Sequence, residues 1–153
     1  MTVKKVILIG SGVRETYIAK RLFIDTNGEI AITVILTKRN PEISSYAKNI
    51  FLVNDFSLET FLCNSNIESF INKNFRDIDF AVIGPEQPLK EGFADFFESI
   101  GIRTIGPKMN LAKLETSKLY CREFLRKNRL SHLSPMWCDI SGMTKFNVYQ
   151  QNF

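Results

Sequence analysis

Short apolar runs alternate with longer amphipathic stretches along the chain, and that alternation sets the expected fold. Residues 3–10, VKKVILIG, form a β-branched run closed by glycine and read as a buried strand. Residues 14–23, RETYIAKRLF, follow as a helix with Ile18, Leu22 and Phe23 near one face. Residues 29–37, EIAITVILT, read as a second strand, and residues 49–53, NIFLV, as a short third. Residues 57–75 carry a helical pattern interrupted around Asn64-Ser65-Asn66. Residues 77–84, DIDFAVIG, are again a strand closed by glycine. Residues 90–101 read as a helix stopped by Gly101, and 102–106 as a short strand. Residues 111–128 form a long charged helix or a helix pair, and 133–153 offer one more strand.

Five alternations of strand and helix predict an α/β fold: a doubly wound, mainly parallel sheet of about five strands with right-handed crossovers. Ligands of such sheets sit outside the carboxyl ends of the strands. The glycine-terminated strands ending at Gly10 and Gly84 are therefore expected to direct their loops to one shared edge.

Composition narrows this picture only a little. A length of 153 residues suffices for a domain with a real core. The formal charge of +4 is spread over scattered basic residues, so nothing points to nucleic acid. Cys63, Cys121 and Cys138 are widely spaced, and His132 is the single histidine, which excludes a recognisable zinc motif. Burial in the core is the default expectation for each cysteine. The first apolar run is too short for a signal peptide, and no run reaches membrane-spanning length. A cytoplasmic chain with no membrane partner is expected.

Three segments carry candidate chemistry. The first is Gly10-Ser11-Gly12-Val13-Arg14-Glu15. Its glycines let the backbone turn tightly, and the following helix offers unpaired N–H groups and a positive dipole end, which suits a phosphate. A plain tight turn explains the pattern equally well. A dinucleotide is disfavoured, because Glu15 stands where the third glycine of that fingerprint belongs and Thr37, Lys38 and Arg39 end the second strand without an acid. The second segment is Gly84-Pro85-Glu86-Gln87-Pro88-Leu89. Its prolines fix Glu86 just beyond a buried strand, either as a ligand for hydroxyl or amine groups or as a solvated carboxylate on a stiff loop. The third, residues 106–120, reads from periodicity alone as a solvated charged helix.

Taken together and in this order, these segments resemble the N-terminal part of the phosphoribosylamine–glycine ligases, or glycinamide ribonucleotide synthetases. The resemblance rests on the glycine loop followed by Arg14-Glu15, on Gly84-Pro85-Glu86-Gln87-Pro88-Leu89, and on Gly106-Pro107 leading into Leu114-Glu115-Thr116-Ser117-Lys118. It implies an ATP-grasp ligase of purine biosynthesis that uses ATP and Mg to activate glycine for attack by phosphoribosylamine. It further implies a Rossmann-like substrate-binding domain over residues 1–106, with residues 107–153 a helical linker and the truncated start of the ATP-grasp region. Gly10, Ser11, Gly12, Arg14, Glu15, Pro85 and Glu86 are then the expected substrate-binding residues, holding the ribosyl phosphate. Lys118 is the expected contact to ATP. No catalytic residue and no metal ligand is expected in this chain. ATP and Mg would be held mainly by the remainder of the ligase, supplied in cis or in trans, so the chain is expected to be inactive alone. The competing expectation is a stand-alone, non-catalytic Rossmann-like module for a phosphorylated sugar or nucleotide.

Overall fold

A computed structural model describes residues 3–139. Five strands, β1 (Lys4–Ile9), β2 (Ile30–Leu36), β3 (Ala47–Leu52), β4 (Phe80–Ile83) and β5 (Thr104–Ile105), form one sheet in the order β3-β2-β1-β4-β5. Every pairing is parallel. The helices are α1 (Val13–Asp25), α2 (Pro41–Tyr46), α3 (Leu58–Leu62), α4 (Ser65–Asn74), α5 (Glu86–Lys90), α6 (Phe93–Ser99), α7 (Met109–Thr116) and α8 (Lys118–Lys127). The expected doubly wound α/β fold is therefore the observed one.

Alternation along β1 divides the core. Val6 and Leu8, with Val34 and Leu36 of β2, pack against Ala19 of α1 and Ile43 of α2. Ile7 and Ile9 point the other way, onto Phe61 of α3, Ile67 and Ile71 of α4, and Phe93 and Phe97 of α6. Because both faces are covered, the central strands carry apolar residues at consecutive positions rather than every second one. Each fully buried Ile, Leu or Phe of this kind contributes roughly 1.5–3 kcal/mol relative to exposure. The Phe61–Phe93 ring pair, 4.9 Å between centroids, ties α3 to α6 beneath the sheet.

The helical stretch 57–75 does break where the asparagines stand: Asn64 caps α4, its side chain accepting from Asn66 and Ile67 N–H. The stretch 111–128 is a pair, broken at Ser117, whose hydroxyl accepts from Tyr120 N–H. Gly101, at φ +85°, stops α6, with Ile102 N–H bonded back to Phe97 O at 2.9 Å.

Other expectations need correction. Residues 86–101 hold two helices, separated by Gly92 at φ +85°; Gly84-Pro85 is a strand-to-helix turn and Glu86–Leu89 are helical, not an open loop. Residues 41–46, unassigned from the pattern, form α2. Cys63 and Cys138 are exposed and Cys121 is half-buried, because none of the three lies on a strand or an inward helix face. Residues 133–139 hold no strand, and the rest of the expected last strand lies outside the described residues.

The chain divides after Thr116 into two compact units. The first holds the sheet and α1–α7. The second holds α8 and a 3-10 turn over Ser131–Leu133, with Arg122 donating to Ser134 Oγ at 3.0 Å. Among the described residues no helix is long and apolar enough to cross a membrane.

Candidate functional site

The chain leaves β1 toward β2 and β3 on one side, and leaves β4 toward β5 on the other. The strand order thus reverses between β1 and β4, and the crevice outside their carboxyl ends is the topological switch point of the fold. Both expected loops meet there. Gly10 N–H donates to Ile35 O at 3.0 Å and Gly84 N–H to Ile9 O at 3.1 Å, so each glycine extends its strand by one residue at the same edge.

Glu15 occupies the centre of that edge. It stands in the first turn of α1 and folds back so that Oε2 accepts the Gly12 N–H at 2.7 Å. It is only 4% exposed. A Cβ on Gly10 would lie 2.5 Å from Glu15 Cγ and 2.8 Å from Pro85 Cδ, and one on Gly84 would strike the Glu15 carboxylate. Gly10 also has φ +129°, a conformation that side chains disfavour. Glycine at positions 10 and 84 therefore admits a buried carboxylate of this same chain, held at the positive end of the α1 dipole. The bare backbone that suggested a phosphate cradle is in part the seat of Glu15.

What remains open to a ligand lies on the outer rim. Val13 takes the first helical position of α1 without a positive φ and is 87% exposed. The N–H groups of Val13 and Arg14 lie in the first turn, where the helix itself supplies no acceptor. Arg14 spans the switch point: Nη1 donates to Gly84 O at 2.7 Å and Nη2 to Glu86 Oε1 at 3.3 Å. Glu86 opens α5 behind Pro85. Its own backbone N–H, then the Arg14 guanidinium, hold its carboxyl below the usual range, against a small opposing effect of burial. The two side chains are 61% and 47% exposed, so the pair adds little stability and both groups stay available to solvent and ligand.

A second set of contacts braces the loop from the β2 side. Ser11 Oγ accepts from Thr37 N–H at 2.8 Å. Asn40 donates to Ser11 O at 3.1 Å and to Thr16 Oγ1 at 3.0 Å, while its Oδ1 caps α2 by accepting from Ile43 N–H. Thr16 in turn donates to Gly12 O at 2.9 Å. Asn40, Thr16 and Thr37 join the site through these bonds, though no motif in the sequence marks them as its parts. The one available signal was Asn40 before Pro41, the pairing of an N-cap with proline at the first helical position. Lys38 and Arg39 are exposed beside this brace.

Seven expected residues, Gly10, Ser11, Gly12, Arg14, Glu15, Pro85 and Glu86, therefore stand together at one edge. Lys118 belongs to the second compact unit, exposed at the start of α8. Among the described residues no group of three or more His, Cys, Asp or Glu could hold a metal ion.

Residues 4–115 match the family model of the phosphoribosylglycinamide synthetase N domain. The chain is 36% identical over 123 residues to a phosphoribosylamine–glycine ligase of Methanocaldococcus jannaschii, covering 80% of this chain and 26% of that protein. It is 35% identical over 151 residues to the corresponding ligase of Methanococcus vannielii, covering 97% and 30%. The chain thus spans less than a third of the length of these relatives. Among solved structures, the biotin carboxylase subunit of a pyruvate carboxylase superposes with a TM-score of 0.52 at 20% identity, over 82% of this chain and 27% of that one. A complete pyruvate carboxylase from Rhizobium etli gives 0.51 at 17% identity, over 83% and 13%. Both are likenesses of fold.

Proposed function

The chain belongs to the phosphoribosylglycinamide synthetase N-domain family, and on that premise we propose that its first compact unit holds the ribosyl phosphate of 5-phosphoribosylamine for a ligase that joins this amine to glycine. The observation that supports the reading is the meeting of Arg14, Glu86 and the Gly10–Gly12 turn at the switch point of the sheet. Glu15 neutralises the innermost part of the α1 N-terminus, so the phosphate sits on the outer rim. There the Val13 and Arg14 N–H groups and the Arg14 guanidinium face it, and a dianion gains from each. Glu86, ionised at neutral pH, accepts from the ribose hydroxyls or the amine. ATP supplies the activation of the glycine carboxylate when bound. In this reading ATP and magnesium sit mainly on parts of the ligase outside this chain, and the exposed Lys118 contributes to the ATP phosphates.

Calorimetric titration of the chain with ribose 5-phosphate, a stable stand-in for the labile amine, tests the reading. Arg14→Ala is expected to weaken binding by about 1–3 kcal/mol, the usual value of a hydrogen bond to a charged group. Equal affinity of wild type and Arg14→Ala, or no binding by wild type at millimolar ligand, sinks the proposal.

A further inference from the structure

The opposite end of the same sheet carries a second concavity that the proposed function does not use. A groove of about 390 Å³ opens along the face that bears α4, lined by Lys5, Thr33, Lys48, Asn49, Phe70 and Lys73 among others. Lys5 precedes Gly10 by five residues of the β1 strand. At a strand rise of 3.3 Å, that places it roughly 16 Å from the glycine turn.

Three features distinguish this groove from an ordinary surface furrow. The first is polarity where the pattern calls for none. Thr33 interrupts the apolar run of β2, is 4% exposed, and has Asn49 directly opposite it. The Asn49 amide donates to Thr33 Oγ1 at 3.1 Å. That leaves the Thr33 hydroxyl proton and the Asn49 carbonyl oxygen for a third group. The second feature is a one-residue register shift between β2 and β3. Ile32 pairs with Ala47 but Thr33 pairs with Asn49, so Lys48 is the extra residue that switches Asn49 onto the face of Thr33. Shifts of this kind re-aim side chains, and they occur at sheet edges, where β3 lies, as well as next to active sites. The third is charge. Three lysines and no carboxylate line the groove. Lys5 Nζ is shared with Asp77 at 2.9 Å, both at the surface, while Lys48 and Lys73 make no ion pair among the described residues. Asn74 covers one acceptor at the end of α4 by donating to Phe70 O at 2.8 Å.

We propose that this groove binds a small phosphomonoester of about mononucleotide size. The lysines meet its phosphate as point charges, Thr33 and Asn49 bond its polar groups, and Phe70 and Ile78 line the space for its organic body. The inference is independent of the ribosyl-phosphate edge.

Amide NMR of the chain titrated with adenosine 5′-monophosphate tests it, with inorganic phosphate and ribose 5-phosphate as parallel probes. The expected result is saturable shifts at Thr33, Asn49, Ser69 and Lys73. The Lys48→Glu/Lys73→Glu variant should bind at least tenfold more weakly, and Arg14→Ala should leave these shifts unchanged. Lys73→Ala serves as the milder variant should the charge reversal disturb the fold, and a severalfold loss is expected there. Shifts confined to Gly10–Arg14, a drift that never saturates, or unchanged affinity in the lysine variants would overturn the proposal. Inorganic phosphate binding as tightly as the nucleotide would overturn the assignment to an organic ester.

Discussion

The two ends of this one sheet are built on opposite principles. At the carboxyl end, side chains are removed so that backbone and a single carboxylate can pack: Gly10 and Gly84 lie against the buried Glu15. At the amino end, charges stay on the surface and are held by long side chains, as in the Lys4–Asp79 and Lys5–Asp77 pairs at 2.6 and 2.9 Å. The first kind of construction has no slack, because neither glycine has room for even one methyl. The second tolerates change, because exposed pairs contribute little. Sensitivity to substitution should therefore differ sharply between the two ends of the same strands.

Gly84→Ala probes the contrast most strongly. Its methyl meets the Glu15 carboxylate, which is buried and tied to Gly12 N–H and so has nowhere to swing. A loss of about 2–4 kcal/mol in urea denaturation is expected, at the severe end of overpacking. Adding Glu15→Ala should restore part of that loss, giving a coupling of about 1 kcal/mol or more. If the two variants simply add, the glycines are not there to admit Glu15.

Asn40→Ala comes next. It removes the cap of α2 and both donors that brace the Ser11–Thr16 segment. About 1–2 kcal/mol should be lost in the same assay. Asn40→Asp keeps the cap but not the two donated bonds, so it should fall between Ala and wild type.

Asp79→Asn should be smallest. Lys4, then the Lys5 N–H, holds this carboxyl below its ordinary 3.8. In acid the unfolded chain therefore takes up the proton first. Stability from the pair is present at neutral pH and is lost as pH falls below 3.8. Thermal midpoints should show a change equivalent to well under 1 kcal/mol at neutral pH and a flatter acid limb in the Asn variant. A loss as large as that of Gly84→Ala would erase the distinction between the two ends.

The contrast also explains what the sequence discloses. The alternation of apolar runs suffices for the sheet, and the glycines that close residues 3–10 and 77–84 suffice to put two loops at one edge, because strand ends in a parallel sheet share a direction. The short helices α2 and α5 escape, since six or five residues are too few to display a helical period, and only their leading Asn40-Pro41 and Pro85 hint at them. Glu15 is visible as a missing glycine, but its inward fold is not, since that depends on how closely β4 approaches β1. The Arg14–Glu86 contact joins residues 72 apart and emerges only from the topology. The groove beside Thr33 hinges on a one-residue register shift, which no periodicity reports.

The strand order also has a consequence in time. β1 and β2 can pair once the first 36 residues exist, but β1 is finished on its other side only by β4, which follows β1 by more than 70 residues along the chain. Arg14 must wait for Gly84 and Glu86, and the Glu15 seat lacks one wall until then. Contacts of such long sequence separation form slowly, because a large loop must close before any of them is rewarded. During synthesis the N-terminal half of the switch point is thus displayed early and completed late. A chaperone or a ligand that recognises only the finished edge would report the arrival of β4.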